Sequence, residues 1–542
     1  MSVYIKNIKI GNFRSVKSEE FQIAIPNGKL GSGLTVIVGP NNVGKSNICR
    51  AIDGLFNKFE EQDKTYGTSN VTEIEVEFTS DDFDKSIETY VVDNKQSVYK
   101  AAVLDDSLHA KRSDEESINK IFLKQSDGTF KNSSGIDAPF SAWIKLRTLD
   151  PEYTTEDATK YGSTSILGDL LGKIFQEIET EQRYEDLKAA FKDLFEDNSI
   201  FEKKSEEISQ KVSGYIKDFY GEVGINFVPD RPDLAALTKN VRTIVKDGSH
   251  DSDVSTKGSG LQRAVVLALI QTYAASFEKA EHKKPFYLII DEPELSLSAQ
   301  GQKRLLSALR VITQKEQVLL ITHSPYFVNW SDLENGARIG RASFDSENGT
   351  KLHWLQEGSN YSNLIQTASN DWQKPYLLDN AAKEILFSDK VLMLEGQEDV
   401  GLIRRWARDN NKNYQFDIFG YGVQGYTNFK PYLHLARDIG LTKVASIYDK
   451  GDSEDIQLAD DKTEFPDYLL CQLAANDIRD KFSSCMNCED CKDNPQNCKS
   501  QKQTKDGCFD KHGSPKAGTD NFKNFEETMQ SIATYFDESD ES

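Results

Sequence analysis

The first 40 residues of the chain alternate between apolar and polar positions in the manner of β-strands. Residues 4–10 alternate loosely, and residues 34–38 form an apolar, β-branched run typical of a strand buried on both faces. Residues 47–59 change to a helical spacing, with their apolar side chains on one side. Residues 71–78 then alternate strictly. The pattern predicts an α/β unit with one half-solvated strand.

The middle of the chain changes period twice. Residues 80–150 are polar and predict no definite element, whereas residues 165–220 have a helical spacing that predicts an insertion of two or three helices. Strand–helix alternation resumes at residue 258 and continues to residue 327. Residues 343–374 are polar and are predicted to form a connector.

A second α/β unit is predicted from about residue 381. Its strands are expected at residues 391–394, 416–419 and 444–448, each a short apolar run. The sequence therefore predicts two α/β units in succession, the first of which carries a helical insertion.

Composition limits the classes of protein that this chain can belong to. With 65 Lys+Arg against 87 Asp+Glu, the net charge is −22, which argues against coating nucleic acid by bulk charge but leaves a local site open. No run approaches the ~18 apolar residues of a membrane helix. The first residues enter a strand pattern without a leader, so we expect a cytoplasmic protein with no membrane partner.

A phosphate-binding loop follows the predicted strand at residues 34–38. Residues 39–46 read G-P-N-N-V-G-K-S, fit the pattern G-x-x-x-x-G-K-[ST] and open a predicted helix. Backbone N–H groups of such a loop surround phosphates, Lys45 reaches the β/γ oxygens, and Ser46 ligates Mg²⁺. The loop predicts ATP with Mg²⁺ as cofactors. Its candidate binding residues are Gly39, Asn41, Asn42, Gly44, Lys45, Ser46 and Asn47.

Two further apolar strands end in polar residues. The strand at residues 286–290 is followed by Asp291, expected to hold Mg²⁺, and by Glu292, expected to orient and deprotonate the attacking water. The strand at residues 318–321 leads to His323, which could lie near a γ-phosphate or simply cap the strand.

Residues 257–263, with the sequence K-G-S-G-L-Q-R, place small residues before a predicted helix. They resemble the L-S-G-G-Q signature loop of ABC-type ATPases, with matches at Ser259, Gly260 and Gln262. Residues 13–15, F-R-S, resemble the N-terminal motif of the Rad50/SMC/RecF branch, in which the arginine, here Arg14, lies close to the nucleotide. The resemblance implies two ATPs held in a head-to-head dimer.

Carboxylates also follow two strands of the second unit. Glu395 comes after the predicted strand at residues 391–394, and Asp449 directly follows the one at residues 444–448. Carboxyl ends of neighbouring parallel strands meet at one crevice. Such a cluster can bind Mg²⁺ or Mn²⁺ and support phosphodiester hydrolysis, although an ordinary α/β domain with acidic loop ends remains the alternative.

This pattern resembles the Toprim domain, with Glu395 as its lone glutamate and Asp449 as the first acid of its D-x-D pair. The second position of that pair is Gly451, so the second acid stays open among Asp452, Glu454 and Asp455.

Further candidates for the Toprim site lie on either side of these acids. Asp399 is one, because OLD-type Toprim domains often carry an acid shortly after the Glu-Gly. Lys481, with Asp477 and Asp480, either completes the site or belongs to a solvated helix face.

An ABC-type ATPase interrupted by helices and followed by a Toprim domain resembles the OLD (overcoming lysogenization defect) family endonucleases. The expected fold class is α/β: an ABC/RecF-like P-loop ATPase with a helical insertion, then a Toprim α/β domain with a Cys-rich insertion. The expected divisions are an N-terminal ATPase lobe at 1–150, a helical insertion and dimerisation candidate at 151–235, a C-terminal ATPase lobe at 236–375, and a Toprim domain at 376–542.

The resemblance implies an ATP-dependent or ATP-regulated, metal-dependent DNA endonuclease with a role in antiphage defence, as in Gabija and retron-associated systems. It implies DNA as substrate, a homodimer or larger homo-oligomer through the ATPase heads and the helical insertion, and an accessory protein or retron RNA/DNA as a further partner. The alternative is a non-nucleolytic SMC/RecF-like ATPase that senses DNA and signals to a partner.

Two features outside these motifs carry chemistry. The element at residues 485–508 contains closely spaced thiols that favour a structural Zn²⁺, with an iron–sulfur cluster or metal-free reduced thiols as alternatives. Its candidate zinc ligands are Cys485, Cys488, Cys491 and Cys498.

On the helix after Glu395, Arg404, Arg405 and Arg408 could hold DNA phosphates or form a solvated helix face.

Overall fold

The structure is a computed structural model of the 542-residue protein. It describes residues 3–65, 69–149, 181–195, 199–220, 243–247, 250–258, 286–295, 297–355, 380–420, 423, 425–482, 503–504 and 506–537, with short stretches between 261 and 272. Two compact units emerge, one of Met1–Pro151 with His282–Ser542 and the other of Glu152–Glu281.

Strands and helices alternate in groups along the described residues. In chain order, the strands are β1 (Val3–Phe13), β2 (Val16–Gln22), β3 (Leu34–Val38), β4 (Glu73–Ser80), β5 (Val103–Leu104), β6 (Ser107–Ser113), β7 (Ser117–Lys124), β8 (Phe130–Lys131), β9 (Lys145–Leu149), β10 (Ile244–Asp247), β11 (His250–Asp253), β12 (Phe286–Asp291), β13 (Gln317–Ile321), β14 (Arg338–Asp345), β15 (Gly349–Leu355), β16 (Lys390–Met393), β17 (Asp417–Phe419), β18 (Lys443–Tyr448), β19 (Leu469–Gln472), β20 (Lys481–Phe482) and β21 (Gln503–Thr504). The α-helices are α1 (Lys45–Asn57), α2 (Phe83–Tyr90), α3 (Asp93–Ala102), α4 (Asp137–Trp143), α5 (Gln182–Phe195), α6 (Ile200–Tyr220), α7 (Ala299–Ile312), α8 (Asn380–Lys383), α9 (Gln397–Asp409), α10 (Phe429–Asp438), α11 (Asp452–Glu464) and α12 (Asp520–Asp537).

A large mixed sheet organises the first part of the larger unit. Its strands run in the order β8-β7-β6-β4-β1-β2-β15-β14-β3-β13-β12-β9, with β5 paired to β6. The strands from β14 to β9 are parallel, and the remaining pairs are antiparallel. All five residues of β3 are buried, which confirms the predicted strand at residues 34–38.

Helix α1 anchors the phosphate-binding loop to this sheet. It buries Ile48, Ile52 and Leu55 in the main hydrophobic core, and each such side chain contributes about 1.5–3 kcal/mol of hydrophobic free energy. The helix begins at Lys45 and ends at Asn57, about two residues earlier at each end than the sequence predicts.

The predicted connector at residues 343–374 is wrong in its first part. Residues Arg338–Asp345 and Gly349–Leu355 form the antiparallel pair β14 and β15 within the large sheet. Their polar side chains hid the strand pattern, yet several of them are held by hydrogen bonds at buried or half-buried positions. Arg341 donates to three backbone carbonyls, and Ser343 Oγ lies 2.9 Å from His353 Nε2.

A second, four-stranded parallel sheet follows in the order β17-β16-β18-β19. The three strands predicted from residues 391, 416 and 444 onward are confirmed as β16, β17 and β18, with starts shifted by one residue. Leu392, Ile447, Trp406 and Phe525 meet in a core between this sheet and helices α9 and α12. The carboxyl ends of β16 and β18 are therefore neighbours.

The smaller unit contains α5, α6 and the antiparallel hairpin of β10 and β11. Helices α5 and α6 fall within the predicted helical region, whereas residues 165–180 lie outside the described residues. None of the described helices combines the length and the apolar character needed to cross a membrane.

Candidate functional site

The loop at residues 39–46 joins β3 to α1 and depends on two glycines. Gly39 has φ 139°, and a Cβ there would approach the carbonyl oxygen of Ala342 to 2.6 Å. Gly44 has φ 87°, and a Cβ there would collide with the hydroxyls of Ser15 and Thr350. Only glycine fits both positions, so the backbone can approach a ligand closely.

Lys45 is buried within this loop. It is 5% exposed, and its Nζ donates to the carbonyls of Pro40 at 2.5 Å and Gly39 at 3.2 Å. Burial lowers the pKa of Lys45 to about 8, against the opposing charges of Glu292 and Asp291. The ammonium group therefore donates only to neutral carbonyls. Phosphate oxygens, which are charged and stronger acceptors, can replace these carbonyls as its partners.

Asp291 lies at the end of β12, facing the same loop. Burial raises the pKa of its carboxyl to about 6, opposed by a hydrogen bond from Ser46. Its Oδ1 is buried and has no hydrogen-bond partner. A buried carboxylate oxygen without a hydrogen-bond donor, beside a serine hydroxyl, is suited to ligate Mg²⁺. The ion takes water and phosphate oxygens as its other ligands. The structure thus brings the two predicted ligands together.

Glu292 follows with φ 49°, a strained conformation for a side chain other than glycine that is typical of functional sites. Its Oε1 lies 3.5 Å from Nε2 of His323. Burial and the charge of Lys45 lower the pKa of His323 below its usual value, so a neutral imidazole faces the carboxylate. The predicted water-activating acid and the predicted histidine are therefore neighbours.

Glu294 fixes this arrangement from behind, a role that the sequence reasoning missed. Its carboxylate accepts from the backbone N–H of His323 at 2.5 Å and from the Thr322 hydroxyl at 2.8 Å. Burial raises the pKa of Glu294. The sequence D-E-P-E after the strand indicated this role, because Glu294 is close enough to Glu292 in the chain to lie at the same end of the strand.

Arg14 lies beside the loop, in a turn with φ 48°. Its guanidinium contacts the fully buried Asp63 at 2.6 Å and reaches Asn47 Oδ1 at 3.4 Å, while Asn47 Nδ2 donates to Ser15 Oγ at 2.7 Å. The arginine is thus fixed by Asp63 and reaches the phosphate-binding loop through Asn47.

A cavity of about 380 Å³ opens at this point. Its lining includes Asn41, Asn42, Gly44, Lys45, Ser46, Asn47, Glu292 and His323, all predicted from the sequence. Ser15 and Phe344 also line it and were not predicted. Phe344 is 51% exposed at the end of β14, a strand hidden in the supposed connector.

The structure describes only part of the loop that resembles the ABC signature. Ser259 and Gly260 lie outside the described residues. Gln262 donates its side-chain amide to the carbonyls of Lys257 at 2.7 Å and Ser255 at 3.0 Å. This glutamine therefore folds its own loop, and its contact with a nucleotide stays a prediction.

A second site lies at the carboxyl ends of β16 and β18. Burial raises the pKa of Glu395 to about 7, and the backbone N–H of Asp449 donates to Glu395 Oε1 at 3.2 Å. The charges of Asp399, Glu454 and Asp477 contribute to this rise in the pKa of Glu395, after burial. Neighbouring carboxylates that disfavour each other's charge supply the kind of oxygen donors that a hard divalent cation prefers.

The neighbouring acids have separate tasks. Asp399 accepts from the backbone N–H of Gly396 at 3.0 Å and so caps α9. Glu454 folds back over Gly451, where any Cβ would collide with its carboxylate. Asp452 lies exposed in the first turn of α11, and Asp455 accepts from Gln472 at 2.5 Å. Among the open alternatives for the second acid, Glu454 is brought to Glu395.

The residues expected to complete this site separate into two groups. Asp477 acts on Glu395, whereas Asp480 is 8% exposed and accepts from Lys516 Nζ and the Gly507 N–H, each at 3.0 Å. Asp480 is therefore a structural group. The backbone of Lys481 lies in β20, paired with β21, and its side chain lies outside the described residues.

The cluster of Arg404, Arg405 and Arg408 is partly neutralised within the chain. Asp409 lies 3.7 Å from Arg405 Nε and 3.0 Å from an Arg408 nitrogen. Arg404 donates to the Ile418 carbonyl at 3.3 Å. These contacts favour the solvated helix face over a dedicated phosphate clamp.

Metal ligands were predicted at the Toprim acids and at four cysteines. Within the described ranges, no group of three or more His, Cys, Asp or Glu side chains is already arranged to hold a metal ion. The four predicted zinc ligands, Cys485, Cys488, Cys491 and Cys498, lie outside those ranges. Cys508 is buried and its Sγ donates to the Asn521 carbonyl at 3.3 Å.

Comparison with known families agrees with these two sites. A family described as "AAA ATPase domain" matches residues 3–328, more than half of the chain, and "Overcoming lysogenization defect protein-like, TOPRIM domain" matches residues 386–450. The chain is therefore a P-loop ATPase joined to a Toprim domain, as predicted. It belongs to the family described as "AAA ATPase domain", and its Toprim match supports an ATPase-nuclease of the OLD type.

Individual relatives are distant. The chain is 27% identical over 425 residues to the Old nuclease of Escherichia phage P2, which covers 74% of this chain and 69% of that protein. It is 24% identical over 465 residues to Endonuclease GajA of Bacillus cereus, covering 81% and 73%. A solved Smc head domain from Pyrococcus furiosus is similar at 15% identity and a TM-score of 0.39, covering 68% of this chain and 99% of that one.

Proposed function

We propose that the protein is an ATP-dependent or ATP-regulated endonuclease that cuts DNA at the Toprim site in the presence of Mg²⁺ or Mn²⁺. The observation that supports this best is the meeting of Glu395 and Asp449 at the carboxyl ends of the neighbouring parallel strands β16 and β18, where the charge of Glu454 also acts on Glu395. The nuclease names of its relatives point to the same reaction.

The side chains divide the work between two sites. At the first, Lys45 and the loop amides would hold the triphosphate, Ser46 and Asp291 would hold Mg²⁺, and Glu292 would accept a proton from the attacking water. At the second, Glu395 and Asp449 would hold the divalent ion. When bound, that ion polarises the scissile phosphate and lowers the pKa of water.

Glu395 predicts how metal binding depends on pH. Its pKa of about 7 in the metal-free fold exceeds the ordinary value of 4.5, so the proton stabilises the folded state and this contribution is lost as pH rises through about 7. A metal ion must displace that proton. We therefore expect Mn²⁺ to raise the melting temperature more at about pH 8 than at about pH 6.

Thermal unfolding with and without Mn²⁺ at the two pH values measures this effect. Glu395→Gln, which cannot titrate, is the matched control and should show a small shift that is equal at both. An equal shift in the wild type at both pH values would contradict the assignment of Glu395 as a ligand.

The cysteine element predicts a structural zinc ion. Protein purified without chelator should contain about one zinc per chain by elemental analysis, because C-x2-C pairs bring thiolates to one tetrahedral ion. Replacing Cys485 and Cys488 together by serine should remove it. A content below ~0.3 metal per chain would reject the zinc hypothesis.

The partners remain proposals of the same kind. We propose a dimer of ATPase heads, supported by the signature-like sequence at residues 257–263. The proposed biological setting is defence against phage, which the resemblance to the OLD family implies. A cytoplasmic location, an accessory protein and retron-type nucleic acid stay predictions.

The alternative is an SMC/RecF-like ATPase that senses DNA without cutting it. The feature that favours it is Gly451 at the second D-x-D position. Incubation of the full chain with supercoiled plasmid and Mg²⁺ or Mn²⁺ separates the two functions. Nicking that a chelator stops supports the nuclease, and intact plasmid under all these conditions supports the sensor.

A further inference from the structure

One buried guanidinium connects the ATPase sheet to the Toprim sheet. Arg341 lies in β14 and is 2% exposed. Its Nε donates to the carbonyl of Leu386 at 3.2 Å, and its two terminal nitrogens donate to the carbonyls of Ile439 at 3.3 Å and Ser388 at 2.6 Å. All three nitrogens of the guanidinium are thus engaged with the Toprim part of the chain.

The three acceptors stand at the entrances of the two strands that carry the Toprim acids. Leu386 and Ser388 precede β16, which leads to Glu395, and Ile439 precedes β18, which leads to Asp449. Strands β16 and β18 are paired in parallel along their length. A single side chain therefore holds the starts of both strands at a fixed separation.

On the ATPase side, Arg341 is next to the phosphate-binding loop. It pairs with Val38 in the register of β14 and β3, and Val38 directly precedes Gly39. Gly39 packs so closely on Ala342 that a Cβ would lie 2.6 Å from its carbonyl oxygen. The positive charge of Arg341 also acts on Lys45. Through this close contact, a shift of Gly39 would act directly on β14.

The contact is stiff for chemical reasons. Burial lowers the pKa of Arg341 to about 10, so the group remains charged at neutral pH. Its planar fork directs N–H groups along fixed lines, which a lysine ammonium cannot reproduce. The carboxylate of Asp389, 3.7 Å away and 68% exposed, contributes little. Truncation would leave three backbone carbonyls without this donor.

We propose that Arg341 is a positioning residue that couples nucleotide binding at the phosphate loop to the separation of Glu395 and Asp449. This inference rests on the proposed nuclease function. Arg341 transmits movement of β14 to the starts of β16 and β18, so the nucleotide state sets how well the two acids share a metal ion. It touches neither the nucleotide nor the substrate.

The test uses the full chain with Arg341→Lys and Arg341→Met. The matched control is Arg338→Met, on the same strand, because the Arg338 guanidinium lies 5.5 Å over the Trp354 ring and 3.4 Å from Gln22 Oε1, within the ATPase sheet. Three quantities are measured: the Kd for ATP, the ratio of nicking rates with and without ATP, and the Mn²⁺ concentration that gives half-maximal nicking.

We expect both Arg341 variants to bind ATP within about threefold of wild type, whereas the ratio of nicking rates with and without ATP changes from the wild-type value to about 1. The Mn²⁺ requirement should rise about 3- to 10-fold. Arg338→Met should leave the ratio and the Mn²⁺ requirement at wild-type values. Loss of a residue that only stabilises the fold would lower the nicking rate with ATP and the nicking rate without ATP by the same factor. The ratio of the two rates would then stay at its wild-type value.

Three outcomes would overturn the coupling. The first is an Arg341 variant that keeps the wild-type response to ATP, and the second is a wild type whose Glu395-dependent nicking ignores ATP. The third is loss of ATP binding in both Arg341 variants with Arg338→Met intact, which would make Arg341 a folding residue. Equal nicking by wild type and Glu395→Ala would instead remove the proposed function, and the coupling with it.

Discussion

Glu395→Ala and Asp449→Ala should each lower metal-dependent nicking of supercoiled plasmid by at least about 100-fold, because each removes an oxygen that would hold the divalent ion. The two residues lie together, with the Asp449 N–H donating to Glu395. ATP hydrolysis should stay within about twofold of wild type, since neither acid lines the cavity at the phosphate-binding loop. Gel analysis of nicked plasmid, with hydrolysis measured on the same preparation, gives both numbers.

Asp417→Ala is the matched control for these variants. Asp417 is an exposed acid at the start of β17 and pairs with Val391 near the start of β16, so it lies at the opposite end of these strands from Glu395. It should nick at the wild-type rate. If Glu395→Ala nicks as fast as Asp417→Ala, the catalytic acids lie elsewhere.

Glu292→Gln should lower ATP hydrolysis by about 100- to 1000-fold while ATP still binds. The amide keeps the size of the side chain but cannot accept a proton from water, and general-base catalysis contributes factors of this size. The position of Glu292 beside the neutral His323 supports the role of base. Phosphate release and equilibrium binding of a fluorescent ATP analogue measure the two effects separately.

Lys45→Met is expected to behave differently, because Lys45 is needed for binding. Stabilisation by ATP and Mg²⁺ in thermal unfolding should disappear. The ligand-free variant should melt no lower than the ligand-free wild type. Burial of the charged Lys45 amine, which lowers its pKa, costs desolvation free energy, and methionine avoids that cost. Binding lost in Glu292→Gln as well, or retained in Lys45→Met, would contradict this division of roles.

Much of the first site could be predicted because its signals are local. The run from Gly39 to Ser46 needs its own glycines, and the strand before it is buried on both faces, so neither depends on distant residues. Asp291 and Glu292 follow an equally apolar strand. The fold then brings them to the loop through the parallel pairing of β12, β13 and β3.

The rest depended on partners that the sequence does not reveal. Strands β14 and β15 were missed because their polar residues, such as Arg341, are satisfied by carbonyls far along the chain. Phe344 lies on β14, so it was missed as a lining residue of the cavity together with that strand. At the Toprim site the spacing of the side chains left Asp452, Glu454 and Asp455 open as the second acid, and only the fold shows that the charge of Glu454 acts on Glu395.

The order of strands in the large sheet has a consequence for biosynthesis. Strand β3, buried along its whole length, is flanked in the finished sheet by β13 and β14, and Leu34 pairs with Val318. These partners follow the smaller unit in the chain. At roughly 5–20 residues per second, β3 is translated tens of seconds before the strands that cover it. The nascent chain therefore carries an uncovered apolar strand for that interval, a natural target for chaperones.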